Sequence, residues 1–388
     1  MMFGFSAKEI EAAGAEWTAR EILQQPGVWA EIETLILGSA PQLAGFLTPL
    51  LARPEARIVL TGAGTSAFIG QCLGPALART LERRVDAIPT TDLVASPQTY
   101  LSAATPTLLV SFGRSGNSPE SVAAVRLADD CIKDCAHLII TCDAAGALAQ
   151  CANTHPRARV VVLPERSNDR SFAMTSSFTG MLLAGSLVLG AMRGASSRNF
   201  ALERAAARVL PERVPLLRDL VISSFERVVY LGSKELKGLA REAALKMLEL
   251  TDGKVVAVAD SPLGFRHGPK TILNADTLVV LFASNDDYTR QYDRDLVGEL
   301  RRDGVAGRVI TLAARPLDGH PQDDIGLAAQ DAADLSDLEL CLPYAVFAQS
   351  LALLRSLSLG RRPDNPNAAG TVSRVVKGVS IHPWRGGA

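Results

Sequence analysis

One pattern of apolar segments and glycine turns occurs twice in this sequence, at a constant distance. Gly62 and Gly232 each follow a short apolar segment, Phe112 and Phe282 each end another, and both pairs lie 170 residues apart. Val110 with Val280 and Ile140 with Ile310 have the same separation. One offset shared by three segments indicates an internal duplication. We therefore expect two tandem copies of a single folding unit.

Each copy alternates apolar segments with helical stretches. The predicted strands of the first copy are 58–60, 107–112, 137–142 and 160–163, and those of the second are 228–231, 278–282 and 309–312. The predicted helices of the first copy are 66–81, 118–131 and 175–192. Strands that are apolar on both faces belong to parallel sheets covered by helices on both sides. The predicted fold class is therefore α/β, with one parallel sheet in each copy.

The duplication also divides the chain. We predict a first domain over 51–205 and a second over 206–360, with a helical segment over 1–50 before them and a tail over 361–388 after them. Apolar residues at helical spacing support the N-terminal segment. Pro26 and Pro41 are expected to interrupt its helices.

Composition argues against several classes of protein. Lys plus Arg number 40 against 41 Asp plus Glu, and 5% of residues are aromatic; nucleic-acid-binding chains usually carry a basic excess. The N-terminal residues include acids and no long apolar core, unlike a signal peptide. The longest apolar segment, 180–192, is shorter than the ~20 residues of a membrane span. We expect a cytoplasmic protein with neither nucleic-acid nor membrane partners.

The six cysteines include no Cys-x-x-Cys pair. Cys131, Cys135, His137 and Cys142 are close enough in sequence to suggest a metal cluster. However, Cys142 belongs to a predicted buried strand, and Cys131 and Cys135 flank a helix end. Reduced structural thiols, which are usual in cytosolic chains, are the favoured interpretation, and no metal site is predicted.

Two turns rich in glycine and serine follow predicted strands of the first copy. Ligands of parallel sheets bind where a strand leads into a helix, and the free N–H groups and dipole of the helix start attract anions. The turns therefore predict a phosphate site. Its candidate ligands are Gly64, Thr65, Ser66, Ser111, Arg114, Ser115, Asn117 and Ser118. The alternative interpretation is that these residues only cap helices and form tight turns.

The second copy differs at the matching positions. Lys234 stands where the first copy has Gly64, and Asp286 and Asp287 lie at the second turn. Carboxylates at a helix entrance repel phosphate. We therefore predict one anion site per chain, in the first copy.

The second copy carries other chemical groups instead. Glu242 and Lys246 are helical i,i+4 neighbours, a spacing typical of a solvated surface pair. Glu249 follows one turn later among apolar residues, and is either a surface carboxylate or one whose raised pKa suits proton transfer. His267 lies in a loop rich in glycine and proline.

Several of these strings resemble the sugar isomerase (SIS) family over about residues 50–380. They are Gly64-Thr65-Ser66, the turn at 113–118 and the string Phe265-Arg266-His267-Gly268-Pro269. The double-copy layout is similar to the isomerase half of glucosamine-6-phosphate synthase. Longer strings at 111–121, 168–179 and 364–376 resemble a branch named galactosamine-6-phosphate deaminase/isomerase or tagatose-6-phosphate ketose/aldose isomerase. Unlike the synthase, the chain has Met2 and no glutaminase domain, so ammonia from glutamine is not expected.

The resemblance implies roles for particular residues. The serine turns would hold the phosphate of a hexosamine 6-phosphate, and Glu249 would move a proton between carbon 1 and carbon 2. His267, reaching in from a partner subunit, would assist ring opening, and Lys246 would line the site. Thr175 and Lys377 are further candidates for substrate binding, although an insertion at 365–370 separates Lys377 from the synthase pattern. The resemblance implies no metal or organic cofactor. It implies a homodimer or a homotetramer.

The favoured reaction converts galactosamine 6-phosphate to tagatose 6-phosphate and ammonia. Two alternatives stay open. One is aldose–ketose isomerisation without loss of nitrogen, and the other is a non-catalytic sugar-phosphate sensor. The sequence leaves the choice between galacto and gluco substrates open, because it depends on the pocket around the carbon 4 hydroxyl.

Overall fold

The computed structural model describes residues 2–192, 202, 205–206, 214–317, 324–327, 330–376 and 378–385. It divides into two compact units, each assembled from separated stretches of chain. Unit 1 comprises Met1–Gly27, Arg170–Thr175 and Ala195–Ala369, and unit 2 comprises Val28–Asp169, Ser176–Gly194 and Gly370–Ala388. The domain boundaries expected from the sequence stay predictions.

Fourteen helices are used below, numbered in chain order. The first nine are α1 Ala7–Ala12, α2 Glu16–Leu23, α3 Gln25–Leu51, α4 Thr65–Leu81, α5 Thr90–Ala95, α6 Pro97–Tyr100, α7 Pro119–Cys131, α8 Ala147–Thr154 and α9 Ser176–Val188. The remaining five are α10 Val214–Ile222, α11 Glu235–Leu250, α12 Pro262–Phe265, α13 Thr289–Asp303 and α14 Asp337–Ser358.

Unit 2 contains a parallel sheet of five strands. They are β1 Arg57–Thr61, β2 Val85–Ala87, β3 Thr107–Gly113, β4 Cys135–Thr141 and β5 Ala158–Val162, in the spatial order β2-β1-β3-β4-β5. The three central strands are buried along their whole length. Val59, Leu109 and Ile139 pack with residues of α5, α7 and α8, while α4 and α9 contact the same strands and each other.

Unit 1 contains the second parallel sheet, which repeats the first. Its strands are β6 Arg227–Leu231, β7 Val256–Asp260, β8 Thr277–Phe282, β9 Arg308–Ala313 and β10 Asp324–Gly326, in the order β10-β9-β8-β6-β7. When this sheet is traced from its β7 edge, the strand order matches that of the first copy. The predicted α/β fold and its internal duplication are confirmed.

Aromatic stacking joins the second sheet to its core helix α14. Tyr344 of α14 stacks on Phe282 with ring centroids 5.8 Å apart, and Phe282 stacks on Tyr230 at 5.9 Å. The opposite face packs Val229, Val279 and neighbouring residues with those of α13. Helices therefore cover both faces of this sheet, as the apolar strands predicted.

The sequence analysis missed the strands β2, β7 and β10, which are edge strands. Residues of β2 and most of β7 are only partly buried, and β2 and β10 have three residues each. Edge strands need no continuous apolar segment, because one side of each lacks a neighbouring strand. The helix expected over 175–192 ends earlier, at Val188.

The predicted interruption at Pro41 is wrong. Helix α3 runs through both Pro41 and Pro49. Pro26 lies in its first turn, where a proline needs no intrahelical N–H bond. An interior proline usually breaks a helix because it removes one hydrogen bond and clashes with the preceding turn, yet this helix accommodates two.

Among the helices that the structure describes, two have the length and hydropathy of a membrane-spanning helix, so the expectation that no segment reaches that length is wrong. Helix α14 is 94% buried over its most apolar window and forms the core of unit 1. Helix α3 is only 17% buried over the corresponding window, and Leu37 on it is exposed. The segment 180–192 is an uninterrupted apolar run, whereas the apolar stretches of these two helices are interrupted by prolines and polar residues.

Two of the long family strings cap helices. The carboxylate of Asp364 accepts hydrogen bonds from the Thr18 N–H and hydroxyl, both at 2.8 Å, at the start of α2. Asp169 does the same for α9, accepting from the N–H groups of Ser176 and Ser177 at 3.0 and 2.9 Å. These acids neutralise the positive ends of two helices, so the strings at 168–179 and 364–376 have structural roles.

Candidate active site

The two serine turns lie at the carboxyl ends of neighbouring strands. Strands β1 and β3 pair in parallel, with Thr61 opposite Ser111. The first turn leads into α4 at Thr65 and the second into α7 at Pro119. The fold therefore brings two helix N-termini to one edge of the sheet, as the sequence predicted.

Glycine is required at one position of the first turn and favoured at another. A Cβ on Gly62 would lie 2.6 Å from the Cβ of Ser66, too close for any other residue. Gly64 has φ +55° and ψ −126°, a conformation that L side chains rarely adopt. No side chain caps α4 at this position. Thr65 and Ser66 are buried in its first turn.

Some polar groups of the second turn form hydrogen bonds within the protein, and others could bind a ligand. Asn117 Oδ1 accepts a hydrogen bond from the Ala147 N–H at 2.9 Å, so Asn117 caps α8 and the helix-cap interpretation holds for it. Ser118 Oγ lies 2.7 Å from Ser121 Oγ, and Ser115 Oγ accepts weakly from the Asn117 N–H at 3.3 Å. Within the described residues, the buried hydroxyl of Ser111 has no hydrogen-bond partner.

Arg114 links this turn to the C-terminal tail. Its side chain is buried, and Nη2 donates to the carbonyl of Arg374 at 2.8 Å. Arg374 in turn donates to the carbonyl of Asp169. The tail residues of unit 2 are therefore tied to the turn. Lys377, the candidate lysine of the tail, lies outside the described residues.

Thr175, a further candidate for substrate binding, belongs to unit 1, although the predicted first domain 51–205 includes it. It is fully buried, and its carbonyl accepts a long hydrogen bond of 3.5 Å from Gln349 Nε2 on α14. The same stretch is held by Glu21 of α2, which accepts from the Ser171 hydroxyl and N–H. Hydrogen bonds with α2 and α14 therefore fix the position of the segment that contains Thr175.

In the second copy, a carboxylate of the chain takes the place predicted for an anion in the first. Lys234 repeats the Gly64 backbone, with φ +49° and ψ −120°. Asp337, at the start of α14, accepts from the Ser284 hydroxyl at 2.6 Å and from the Asn285 N–H at 2.7 Å. Lys234 Nζ lies 3.1 Å from the same carboxylate. A hydroxyl, a backbone N–H and an ammonium are the donors that a phosphate would also use.

The two acids that the sequence analysis singled out at this turn are also engaged. Asp286 Oδ1 accepts from the Thr289 N–H at 2.8 Å and so caps α13. Asp287 pairs with Arg315 at 2.7 Å. The turn therefore contains three carboxylates, counting Asp337, and the prediction that only the first copy binds phosphate gains a structural reason.

A fourth acid near this turn predicts a pH effect on stability. Burial raises the pKa of Asp293 from its ordinary value of 3.8 to about 6. The hydrogen bond from the Ser284 N–H lowers this pKa, but by less than burial raises it. The folded chain therefore binds more protons than the unfolded chain between pH 4 and 6, and its stability falls as the pH rises through that window.

Asp293→Asn removes this titration. We expect the unfolding free energy of the variant, relative to wild type, to rise by up to ~3 kcal/mol between pH 4 and pH 7, because one pKa unit is worth ~1.4 kcal/mol. Urea unfolding at several pH values measures the difference. A difference that stays constant with pH would contradict the assignment.

Helix α11 holds the acid–base groups of the second copy. Lys246 lies 3.5 Å from Glu242, and the side chains of both residues are 1% exposed. Lys246 also donates to Glu249, whose side chain is 24% exposed. The expectation of a solvated Glu242–Lys246 pair is therefore wrong. Contacts of α11 with β6, β7 and α14 bury the face that carries the pair.

The ammonium of Lys246 is retained despite its burial. Desolvation disfavours its charge, but the carboxylates of Glu242 and Glu249 outweigh that penalty and raise the pKa of Lys246 above its ordinary value. Glu249 is the member of this group that solvent reaches best. The arrangement gives a half-buried carboxylate that accepts a hydrogen bond from a buried ammonium.

His267 lies just after α12 and is exposed. Its N–H donates to the Gly264 carbonyl at 3.0 Å, which closes a tight turn. The next residue, Gly268, has φ +116°, so the backbone is sharply bent beside the imidazole. The side chain is therefore presented to solvent on a constrained loop.

The family model of the SIS domain matches residues 50–191 and 221–334. The chain belongs to the SIS domain family. The two matched stretches contain the two sheets, so the tandem SIS arrangement expected from the sequence is confirmed. The D-galactosamine-6-phosphate deaminase AgaS of Escherichia coli is 47% identical over 96% of this chain and 97% of its own length.

Solved structures agree with this SIS assignment. Tagatose-6-phosphate ketose/aldose isomerase from Escherichia coli superposes with a TM-score of 0.85 and 44% identity, covering 95% of this chain and 97% of that chain. A protein of Clostridium novyi NT superposes with a TM-score of 0.94 and 40% identity, covering 99% of both chains. This SIS protein therefore shares its architecture over nearly its full length with these relatives.

Proposed function

We propose that this SIS protein is a galactosamine-6-phosphate deaminase that produces tagatose 6-phosphate and ammonia. The observation that carries the proposal is its 47% identity, over almost the whole of both chains, to a protein of that name. The buried Lys246 beside the half-buried Glu249 supports it, because proton transfer needs a positioned carboxylate.

The proposed mechanism uses side chains and backbone N–H groups of the protein together with water. Ser66, Ser115 and Ser118, with backbone N–H groups of the first turns of α4 and α7, bind the phosphate. His267 assists opening of the sugar ring. Glu249 takes the proton from carbon 2 of the open aldehyde and returns it to carbon 1. A proton passes from the amino nitrogen to the former carbonyl oxygen, which becomes a hydroxyl, and the double bond moves to carbon 2 and nitrogen. Water hydrolyses that imine to the ketose and ammonia.

The supporting residues have separate proposed roles. Lys246 holds Glu249 in place, and Gly64 and Thr65 complete the phosphate turn. Ser111, Arg114, Asn117, Thr175 and Lys377 remain proposed substrate-site residues, and for Asn117 that role is indirect because it caps α8. We propose a deaminase that ends in hydrolysis of a C–N bond, preceded by an isomerisation.

The proposed assembly is a homodimer or homotetramer, with His267 contributed across the interface. The exposed His267 and the sparsely buried apolar helix α3 support it. A cytoplasmic location is supported by the six cysteines, which all lie in the described residues and form no disulfide there.

The function is tested by offering the purified protein galactosamine 6-phosphate and glucosamine 6-phosphate, and measuring ammonia and ketose together. We expect equal amounts of both products, with kcat/KM at least about 10-fold higher for the galacto sugar, which corresponds to ~1.4 kcal/mol of discrimination. Unphosphorylated galactosamine is the control and should react far more slowly, since it lacks the group that the serine turns bind.

The same experiment separates the competing functions. Interconversion of an aldose and a ketose phosphate without ammonia would instead support plain isomerisation, the activity named for the Escherichia coli structural relative. Tight binding of a sugar phosphate without any product would indicate a sensor.

A further inference from the structure

Unit 2 contains a cluster of metal-binding side chains within its sheet and the adjoining helix end. Asp129 lies in the last turn of α7, and Cys135 and His137 lie on one face of β4, two residues apart. One ligand atom from each of these three residues lies within 4.8 Å of the others. The cluster differs from the one suggested by the sequence, since it takes in Asp129 and leaves out Cys131 and Cys142.

His155 extends this cluster. Its Nε2 lies 3.3 Å from the Asp129 Oδ1 that also contacts His137 Nε2 at 2.7 Å. The two imidazole rings meet edge to face, with centroids 4.9 Å apart. One carboxylate oxygen is therefore shared by two histidines, next to a thiol.

One atom of the cluster is unsatisfied. His137 is fully buried, and its Nδ1 has no hydrogen-bond partner within the described residues. A buried imidazole nitrogen without a partner is costly. Because no hydrogen bond fixes the protonation of Nδ1, the ring can present a lone pair to a cation through either nitrogen.

We propose that Asp129, Cys135 and His137 bind a Zn²⁺ ion, with His155 as the adjacent fourth donor. A donor set of one thiolate, one carboxylate and imidazole nitrogen is typical of zinc rather than of magnesium or calcium. Binding releases the Cys135 proton, so one thiolate and one carboxylate balance the two positive charges of the ion. The buried complex is then neutral overall.

The surroundings fit such an ion. Asp129 is 35% exposed and His155 is 28% exposed, which gives the ion a route from solvent. Donor atoms around a tetrahedral zinc lie about 3.3–3.8 Å apart, as its bond lengths require. The 3.3 Å separation is already in this range, and the 2.7 Å separation would widen when the ion replaces the hydrogen bond. Ligand atoms of Asp129, Cys135 and His137 that are as much as 4.8 Å apart would move closer together. The ion would join the end of α7 to the start of β4.

The test uses tag-free protein stripped with a chelator and titrated with Co²⁺ alone. We expect one equivalent to bind with the thiolate-to-cobalt charge-transfer band, and Zn²⁺ to displace it. Cys135→Ser should remove the band. Cys131→Ser is the matched control, because that thiol lies outside the cluster, and it should leave the band unchanged.

A second variant covers the case in which Cys135→Ser does not fold. Asp129→Asn changes a partly exposed side chain and should weaken Co²⁺ binding by about 10–100-fold. Zn²⁺ should also raise the melting temperature of wild type and not that of Asp129→Asn. The proposal is overturned if wild type shows no charge-transfer band at saturating Co²⁺. It is equally overturned if the band survives in a folded Cys135→Ser variant or disappears in Cys131→Ser.

Discussion

Replacing Glu249 with Gln is expected to lower kcat for ammonia release from galactosamine 6-phosphate by about 10²–10⁴-fold, the usual contribution of a general acid–base group. The amide has nearly the same shape as the carboxylate and still accepts from Lys246, but it cannot take a proton from carbon 2. KM should change little, because the serine turns that bind the phosphate are unaltered. Steady-state kinetics with ammonia detection measures both constants.

The matched control for this variant is Glu16→Gln. Glu16 also forms a helical ion pair, with Arg20 at 2.7 Å, and its side chain is similarly exposed at 31%. We expect wild-type kinetics from it. If Glu249→Gln released ammonia at the wild-type rate, Glu249 would not be the base. If both variants lost activity together, the loss would reflect general damage to the fold.

Replacing Lys246 with Met is expected to cost about 3–5 kcal/mol of unfolding free energy, the usual result of removing one partner from a buried ion pair. Glu242 stays buried in the variant and loses its neighbouring ammonium, 3.5 Å away. Urea unfolding followed by circular dichroism measures the loss. Stability is the appropriate readout, since catalysis would be impaired for other reasons.

Two further variants make this prediction specific. Lys237→Met changes the same residue type on the same helix, but Lys237 is 39% exposed and pairs with Asp260 at 3.3 Å. It should cost less than about 1 kcal/mol, as exposed pairs do. The double variant Glu242→Gln/Lys246→Met should recover much of the loss, because it removes the buried charge as well. A loss of equal size in Lys237→Met would refute the role of burial.

The second-copy turn shows how a duplicated site can be put to another use. Lys234 keeps the backbone of Gly64 although a side chain is disfavoured there. Asp337 then receives the donors that an anion would otherwise attract. A carboxylate of the chain therefore secures the start of α14, the helix that packs against α11 and its acid–base groups.

The sequence by itself determined the repeated architecture and the positions of the serine turns. A central strand of a parallel sheet is a short run of apolar residues in both copies. The central strands β1, β3 and β4 and their counterparts could therefore be located from these runs and from their constant separation of 170 residues. Gly62 and Gly64 stand out in the sequence as part of a glycine-rich turn after a strand. The structure adds the reasons, because a Cβ on Gly62 would collide with Ser66 and the positive φ of Gly64 disfavours a side chain. The family strings supplied Glu249 and His267, for which spacing alone offered no decisive signal.

Tertiary structure decided burial and partnership, which depend on residues distant in sequence. Glu242 and Lys246 have the spacing of a surface pair, and only the packing of α14 and the sheet against α11 places them inside. Asp129 and His155 meet His137 because a helix end and a loop converge on β4. Asp337 reaches the Ser284 turn from about 50 residues away. Local propensity acts over a few residues, whereas desolvation and charge pairing are set by the whole fold.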